Sequence, residues 1–544
     1  FGAATGQGTP RFHTCLEGNM QANTFATSLA GRHIRMWAAC SAASILLVAC
    51  IVLFPLPVFA QSTITVTTTA DELTPEVLVE CDDMVPTVRG YAAAPSGVAS
   101  TEPALGAACT GASLLLKLDG STRLIAGTTT ALYESATTSW TDVSRGTAYS
   151  TGDVPWRMAQ FGNTSLAVCK SVVLQYSASG AFADVTAPKA SVIETASGFV
   201  MMADCDDTGS GVGTSYGDQP HRWWCSAIND YSSWVPSVTT QCTSGLLVDT
   251  PGAILGLRRL GADVIAYKKR SIYRGTYVGP PEVWRWALIS SDIGAVSQES
   301  IVSVGYAHYF VGDEDIYGFD GTTPVSISAG VREWFFARLN KTYIYKIRAT
   351  HDRLNGRILW HYPTTGATLD SVLVYDYRTK RWGHIDRDVE VALEFQAAGL
   401  TYDALGSSYA TYEDLPAIAY DSPFWSAGNP VPAYIDTSHV VRSLTGPAGS
   451  SGCKTGYVGD PERMTFVSRV RPHYRLGKTP AAAILTPSFQ TARGDTFTTG
   501  AITSVDGTKF DVLQEGRWHQ WRFDWTGDVE VVSHTVTAVN TGYE

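Results

Sequence analysis

The sequence predicts an all-β protein: a β-propeller of six to seven blades with an additional C-terminal antiparallel β domain. The first observation is a recurring phrase, clearest at Val372–Gly383, in which a β-branched run, a polar turn and an aromatic restart follow each other. The second is spacing, because the aromatic anchors recur every 43 to 58 residues, which suits a blade of short strands. The anchors are Tyr133, Tyr176, Trp224, Tyr273, Tyr317, Tyr375 and Tyr420.

A second predicted strand precedes most of the anchors, and turn-forming residues such as Gly127–Thr129 separate the two strands. These preceding strands are Arg123–Ala126, Ser165–Val168, Val264–Tyr267, His308–Val311 and Arg357–Trp360. A β-sandwich with coincidental spacing is the alternative fold, and the regular unit length favours the propeller.

The composition is that of a folded protein large enough for two or three folding units. The chain has 544 residues, of which 44% are hydrophobic and 17% charged. Serine, threonine, glycine and aromatic residues suit strands and tight turns. The best helical periodicity covers only Val331–Leu339, which predicts one short helix at most.

Four regions are expected along the chain. A turn-rich linker at Gly446–Gly452 separates the last two, and three long alternating runs in the last region predict strands, at 465–470, 518–525 and 529–539. The regions are an N-terminal extension (1–60) with an apolar segment (37–60), an entry strand and irregular segment (61–104), the propeller (105–450), and the C-terminal β domain (451–544).

The apolar segment Trp37–Ala60 carries no charge and follows Arg32, His33 and Arg35. Its length and its small residues before Gln61 are typical of a secretory signal or a single membrane span. A targeting role would require an internal start, at Met20 or Met36. The alternatives are an apolar segment buried against protein and an upstream extension without a targeting role.

The net charge of −11 argues against a conventional nucleic-acid binder, which needs a basic surface. An acidic wall that DNA slides past is compatible with it. The ten cysteines form no CxxC or Cys/His pattern with zinc spacing, so no structural metal is expected. Reduced cysteines are favoured, and a Cys205–Cys225 or Cys225–Cys242 bridge stays open.

No catalytic constellation emerges from the sequence. HExxH, GxSxG and Walker A motifs do not occur, nor do sialidase boxes, so neither an enzyme nor a cofactor is expected. Gly312–Asp315 resembles half of a calcium loop, but a hairpin turn is favoured. The loop at 203–221, with Asp204, Asp206 and Asp207, has calcium binding as an alternative to a solvated loop.

Several phrases in 264–382 resemble the tail nozzle, or packaged-DNA stabilisation (head-to-tail stopper), proteins of short-tailed bacteriophages. The entry segment Asp82–Tyr91 resembles the same family, so the resemblance spans roughly 75–450 and, more loosely, the C-terminal region. The phrases within 264–382 are Tyr267–Gly275, Ser291–Ala295, Gly305–Asp313, Asp315–Gly321, His351–Trp360 and Val372–Trp382. The apolar segment at 37–60 departs from the family pattern.

This resemblance implies a structural virion protein, assembled in the host cytoplasm into a ring, expected to be a hexamer, at the end of the portal and adaptor. Its partners would be further copies of itself, the portal and adaptor proteins, and tail fibre or needle proteins. The ring would retain packaged double-stranded DNA without sequence-specific binding and conduct it at ejection. Contact with the host membrane is left open.

Local charge makes Asp313, Glu314 and Asp315 the candidate for an acidic loop facing the DNA channel, and an outward-facing turn is the alternative. The alternative function is an exported, periplasmic propeller that binds glycans or proteins, which the apolar segment favours. An exported propeller hydrolase is disfavoured because its motifs are missing.

Overall fold

The computed structural model describes residues 59–63, 78–136, 138–213, 215–396, 411, 430–460, 462–492, 494–506 and 508–543. Most of the apolar segment 37–60 and the anchor at Tyr420 lie outside these residues. Within the described part, the helices are α1 (Arg332–Arg338) and a 3-10 helix (Lys341–Lys346), and neither is long and apolar enough to cross a membrane.

Short antiparallel strands make up nearly all of the described chain. Five come first: β1 (Phe59–Thr63), β2 (Leu78–Asp82), β3 (Met84–Pro86), β4 (Tyr91–Ala93) and β5 (Val98–Ala99).

Seven units of up to four strands each then follow. Unit 1 contains β6 (Gly111–Leu116), β7 (Thr122–Gly127), β8 (Leu132–Ser135) and β9 (Trp140–Asp142); unit 2 contains β10 (Arg157–Phe161), β11 (Thr164–Cys169), β12 (Val172–Ser177) and the first half of β13 (Ala183–Ala196). Unit 3 contains the second half of β13, β14 (Phe199–Asp206), β15 (Asp218–Cys225) and β16 (Thr243–Leu246); unit 4 contains β17 (Ile254–Leu260), β18 (Asp263–Lys268), β19 (Ile272–Gly279) and β20 (Val283–Ser290).

Unit 5 contains β21 (Val302–Val304), β22 (Ala307–Val311), β23 (Ile316–Phe319) and β24 (Pro324–Ser326); unit 6 contains β25 (Arg348–Asp352), β26 (Arg357–Tyr362), β27 (Leu369–Asp376) and β28 (Arg381–Val389). Unit 7 contains β29 (Val391–Phe395), β30 (Val431–Ile435) and β31 (Val441–Ser443). The C-terminal strands are β32 (Ser450–Thr455), β33 (Val458–Gly459), β34 (Arg463–Tyr474), β35 (Ala482–Gln490), β36 (Thr498–Thr499), β37 (Thr503–Ser504), β38 (Phe510–Gly516), β39 (Trp518–Thr526) and β40 (Glu530–Tyr543).

The units form a closed β-propeller. The first strands of successive units, from β6 through β10, β13, β17, β21 and β25 to β29, lie beside one another, and β29 lies beside β6. Unit 7 takes its outer strand from the N-terminal segment, because β5 pairs with β31 through Ala99 and Arg442. A strand from one end of the propeller sequence therefore completes the last sheet.

Units 2 and 3 share the long strand β13. Its first half pairs with β12, where Lys189 lies opposite Val173. Its second half pairs with β14, where the same Lys189 lies opposite Asp206. One strand is thus the outer strand of unit 2 and the inner strand of unit 3, so the two units belong to one seven-stranded sheet.

Apolar side chains fill the space between neighbouring units. Trp156 lies between units 1 and 2, Trp224 between units 2 and 3, Trp284 between units 3 and 4, and Tyr267 between units 4 and 5. Burial of a large apolar side chain contributes about 1.5–3 kcal/mol. Since both faces of each sheet are apolar, every unit depends on a neighbour on each side.

The C-terminal strands form two further sheets that continue from the propeller. A ten-stranded sheet runs from β25–β28 of unit 6 through β3 and β4 to β40, β34 and β38, and a seven-stranded sheet contains β2, β32, β39 and β35. Trp521 and Phe523 lie in a core that also contains Trp360 of unit 6. The described chain is thus one compact unit, and the C-terminal strands are not a separate body.

The structure confirms the propeller and shows what the sequence pattern detected. The anchors Tyr133, Tyr176, Trp224, Tyr273 and Tyr317 all lie in the third strand of a unit, as does Tyr375. The predicted preceding strands correspond to second strands, and the predicted short helix is α1. The entry strand expected at the start of the region 61–104 overlaps β1, which the structure describes as far as Thr63.

We predict that Trp360→Ala destabilises the protein by about 3–5 kcal/mol, because it leaves a cavity in the shared core. Trp360 is fully buried, and its indole nitrogen donates a hydrogen bond to the Ser300 carbonyl oxygen at 3.0 Å. The measurement is the urea midpoint of unfolding by tryptophan fluorescence and circular dichroism. The control Tyr306→Ala removes a side chain that is 86% exposed, so its midpoint should not move. Equal midpoints for both variants would contradict this account of the core.

Candidate functional site

A polar cavity of about 570 Å3 lies on the axis of the propeller. Each of the seven inner strands contributes side chains to its wall. Representative lining residues, one per strand, are Ser113, Met158, Thr195, Arg258, Ser303, His351 and Glu394. The cavity is the candidate functional site because a propeller axis collects residues from every unit.

A charge cluster of Arg157, Glu299 and Arg348 holds one side of this cavity together. Arg157 Nη2 lies 2.9 Å from Glu299 Oε2, and Arg157 Nη1 donates to the Ser191 carbonyl oxygen at 2.6 Å. Arg348 Nη2 donates to the Thr110 carbonyl oxygen at 2.6 Å. These bonds link segments of several different units across the axis.

The cluster keeps the Glu299 carboxylate ionised. Burial by itself raises the pKa of Glu299, but the charge and hydrogen bond of Arg157, with the charge of Arg348, lower the pKa to about 2. Burial lowers the pKa of Arg348, whereas the pKa of Arg157 is raised against its burial by Glu299. We infer that Arg157 is the direct partner of the carboxylate, that the nearby charge of Arg348 adds to its stabilisation, and that the arrangement is structural.

Other arginines of the cavity also pair with carboxylates from neighbouring units. Arg258 Nη1 lies 3.7 Å from Glu194 Oε2, and Arg258 Nη2 donates to the Gln298 carbonyl oxygen at 3.1 Å. Arg353 Nη2 lies 3.2 Å from Glu394 Oε2. Paired charges of this kind suit the binding of a small polar molecule or the fixing of one unit against the next.

The predicted acidic loop is the turn between β22 and β23, and its three carboxylates have different surroundings. The Gly312 amide donates to the Asp315 carbonyl oxygen at 2.8 Å, which confirms the hairpin turn. Asp313 pairs with Lys269 and Arg270 at 3.1 and 3.0 Å, and the exposed Glu314 lies 3.2 Å from Arg270. Two basic residues therefore offset the charge of this turn.

The expectation that Asp315 faces a channel is wrong, because its side chain is buried and stabilises the turn itself. Its carboxylate accepts hydrogen bonds from the Ile316 amide, at 2.8 Å, and from the Ser328 hydroxyl. Local charge in the sequence does not distinguish such a carboxylate from an exposed one. Only Asp313 and Glu314 have carboxylates near the surface, and their placement toward a DNA channel stays a prediction.

The carboxylates of the 203–221 loop contribute to its fold. Asp204 Oδ1 lies 2.7 Å from Lys170 Nζ, and Asp206 accepts a hydrogen bond from the Thr208 amide at 3.0 Å. The buried Asp207 accepts hydrogen bonds from the amides of Tyr216 and Gly217 at 2.8 and 2.7 Å. These bonds explain why an acidic, glycine-rich loop folds between β14 and β15.

The described cysteines are buried and free. Neither a Cys205–Cys225 nor a Cys225–Cys242 bridge is present. Burial raises the pKa of Cys109, Cys225 and Cys242 to about 12, so these thiols stay protonated and unreactive at neutral pH.

Sequence reasoning missed Arg157, Glu299 and Arg348. Arg157 and Glu299 are 142 positions apart, so no local motif connects them. The available signal was weak: Arg157 is the single charged residue in the sequence 154–169.

Comparisons with known proteins do not assign a family. No family model and no curated protein matches the chain. Among solved structures, the extracellular domain of a hybrid two-component system protein from B. thetaiotaomicron has a TM-score of 0.33 at 10% identity, covering 76% of this chain and 46% of its own. YCF48 from Cyanidioschyzon merolae has a TM-score of 0.31 at 10% identity, with 54% and 88% covered.

The WD40 domain of Pan2 from Neurospora crassa has a TM-score of 0.34 at 8% identity, with 62% of this chain and 89% of that domain covered. The protein thus spans less than half of the first of these structures. Scores this low assign neither a family nor a function.

We predict that Glu299→Gln destabilises the protein by about 3 kcal/mol at pH 7, because the buried Arg157 guanidinium loses its paired carboxylate. The wild-type pair is stabilising above the unfolded-state pKa of about 4.3. That contribution is lost as the pH falls toward the folded-state value of about 2. Between these values, stability should therefore fall more steeply in the wild type than in Glu299→Gln, as measured by urea midpoints across pH.

The matched control is Glu282→Gln, which breaks an exposed ion pair with Arg285. Solvent screens an exposed pair of this kind, so its contribution to stability is small and this variant should unfold almost like the wild type. A Glu299→Gln midpoint as high as that of the control at pH 7 would contradict the role of the cluster.

Proposed function

We propose that the protein is a structural component of a short-tailed phage tail. In this proposal it forms a nozzle ring that closes the portal and adaptor channel, retains packaged DNA and conducts it during ejection. The observation that carries the proposal joins sequence and structure. The two stretches that resemble the nozzle family, Asp82–Tyr91 and 264–382, are far apart in the chain but belong to one sheet, and His384, two residues beyond the second stretch, pairs with Met84 of the first.

The contacts at this junction give physical reasons for two glycines: Gly90 in the first stretch, and Gly383, which directly follows the second. A Cβ atom at Gly383 would lie 2.5 Å from the Met84 carbonyl oxygen, and one at Gly90 would lie 2.0 Å from the Val531 carbonyl oxygen. Arg357 Nε also donates to the Pro86 carbonyl oxygen at 2.8 Å. The resembling phrases therefore encode the joint between entry segment, propeller and C-terminal strands, which is support for a shared architecture.

The architecture suits a ring subunit. A propeller is a stiff block whose sheets cover one another, so it can be stacked without edge-to-edge aggregation. Cyclic symmetry repeats each surface around a bore, and a net charge of −11 on every copy repels phosphate. In this proposal the DNA-conducting bore lies between subunits, because side chains from all seven inner strands already line the propeller axis.

The first test is the mass and shape of the full-length protein, by light scattering and negative-stain imaging, alone and with the candidate adaptor ring. We expect a ring with a central bore, alone or on the adaptor, and a hexamer would have six times the 58.5 kDa of one chain. A persistent monomer that never joins the adaptor would contradict the proposal.

The acidic turn gives a second test, on DNA retention in assembled particles. We predict that the double variant Asp313→Asn, Glu314→Gln lowers the rate of DNA leakage, because Lys269 and Arg270 lose their carboxylate partners and can then attract DNA phosphates. Asp315 is kept, since its buried carboxylate supports the turn. Glu282→Gln, an exposed charge in another turn, is the control. An unchanged leak rate in the double variant would exclude a channel role for this turn.

A second candidate is an exported propeller that binds glycans or proteins, and the polar axial cavity is the observation that favours it. Paired groups such as Arg353 and Glu394 offer hydrogen bonds to a polar ligand at the propeller axis. A periplasmic monomer that starts at Gln61 would support this candidate. Binding of the purified protein to a glycan array, lost in Arg353→Ala, would then locate the ligand in the cavity.

A further inference from the structure

His384 in β28 has surroundings that an ordinary core histidine lacks. Its side chain is only 5% exposed, and neither ring nitrogen makes a hydrogen bond of normal geometry. Nε2 lies 3.4 Å from Asp386 Oδ1. A buried polar atom without a partner reduces the stability of the fold by about 1–3 kcal/mol. An ion or ligand that binds to this nitrogen is therefore favoured at this position.

The end of β2 brings a second carboxylate to this histidine. One ligand atom each from Asp82, His384 and Asp386 lie within 4.8 Å of one another. Ligands of zinc, at about 2.0–2.2 Å from the ion, lie roughly 3.4 Å apart in a tetrahedral site. The Asp386 side chain is 64% exposed, so it is free to rotate toward an ion.

We propose that Asp82, His384 and Asp386 bind a divalent transition-metal ion of the zinc type. An imidazole nitrogen with two carboxylate oxygens is a donor set that zinc accepts, and water completes the coordination. The two strands that carry the ligands are nearly 300 residues apart in the sequence, so no local sequence motif predicts the site.

The neighbouring charges leave both carboxylates usable. Arg522 Nη2 lies 2.9 Å from Asp82 Oδ2, but Arg522 also pairs with Glu80 and Asp524, so the other oxygen of Asp82 stays available. The Asp386 amide donates to Asp83 Oδ1 at 3.2 Å, which holds the backbone of β28 against the entry segment. Such supporting bonds orient metal ligands.

The position of the site indicates what the ion does. Asp82 belongs to the entry segment, whereas His384 and Asp386 belong to unit 6 of the propeller. The described ladder between β28 and β3 consists of one residue pair, His384 and Met84. A bound ion would clamp this short contact and stabilise the folded chain in proportion to its occupancy.

The test uses the full-length protein after chelator treatment, with Co2+ as a spectroscopic probe and Zn2+ as competitor. We expect one Co2+ per chain, with visible d–d absorption that Zn2+ displaces, and a higher thermal midpoint with either metal. Asp386→Asn should weaken Co2+ binding by about tenfold or more, since a direct ligand matters at least as much as the supporting residues that cost 10–100-fold.

The control is Asp388→Asn, which removes another exposed carboxylate of the same strand and should bind Co2+ like the wild type. His384→Asn, checked for folding by circular dichroism, should also lose the absorption. Because Asp386 is largely exposed, its variant is expected to fold. No saturable Co2+ or Zn2+ binding, or equal affinities for Asp386→Asn and Asp388→Asn, would overturn the proposal.

Discussion

The structure depends on one constraint, the need to cover both faces of every propeller sheet. A sheet with two apolar faces is stable only between two neighbours, so a row of such sheets must close into a ring. Trp156 and Trp224 fill two of the spaces between units. At the axis, the negative charge of Glu299 is balanced by its partner Arg157 and by the nearby charge of Arg348. Closure places polar groups at the centre and large apolar groups between the sheets, which leaves a narrow polar cavity.

The entry segment is the second determinant of the architecture, because its strands belong to several parts of the molecule. β5 completes unit 7, β3 and β4 link unit 6 to the C-terminal strands, and β2 lies in the second C-terminal sheet. Contacts at Gly383 and Gly90 are too close for a side chain, so the joint is specified by backbone packing. Propeller and C-terminal strands therefore share one sheet and one core.

Much of the fold was predictable because short sequence patterns indicate its strands and helix. The candidate sites were not predictable, because residues far apart in the sequence form them. Third strands such as that of Tyr375 combine an aromatic anchor with a polar turn, and α1 shows its own periodicity. Inner strands escaped prediction because they are short or carry charge: β21 has three residues, and β10 begins at Arg157. The axial charge cluster and the surroundings of His384 are formed by residues distant in sequence. The expectation for Asp315 failed for a related reason, because the sequence shows that this residue is charged but not that its side chain is buried.

The outer strand of unit 7 has a consequence for the order in which the chain folds during synthesis. Ala99 leaves the ribosome long before its partner Arg442, about 340 residues later. At roughly 5–20 residues per second, the N-terminal strand waits about 20 to 70 seconds before the ring can close. During that interval β5 and the open face of unit 1 are uncovered. A chaperone that covers these surfaces, or a neighbouring copy that exchanges the strand, would therefore determine the yield of correctly closed propellers.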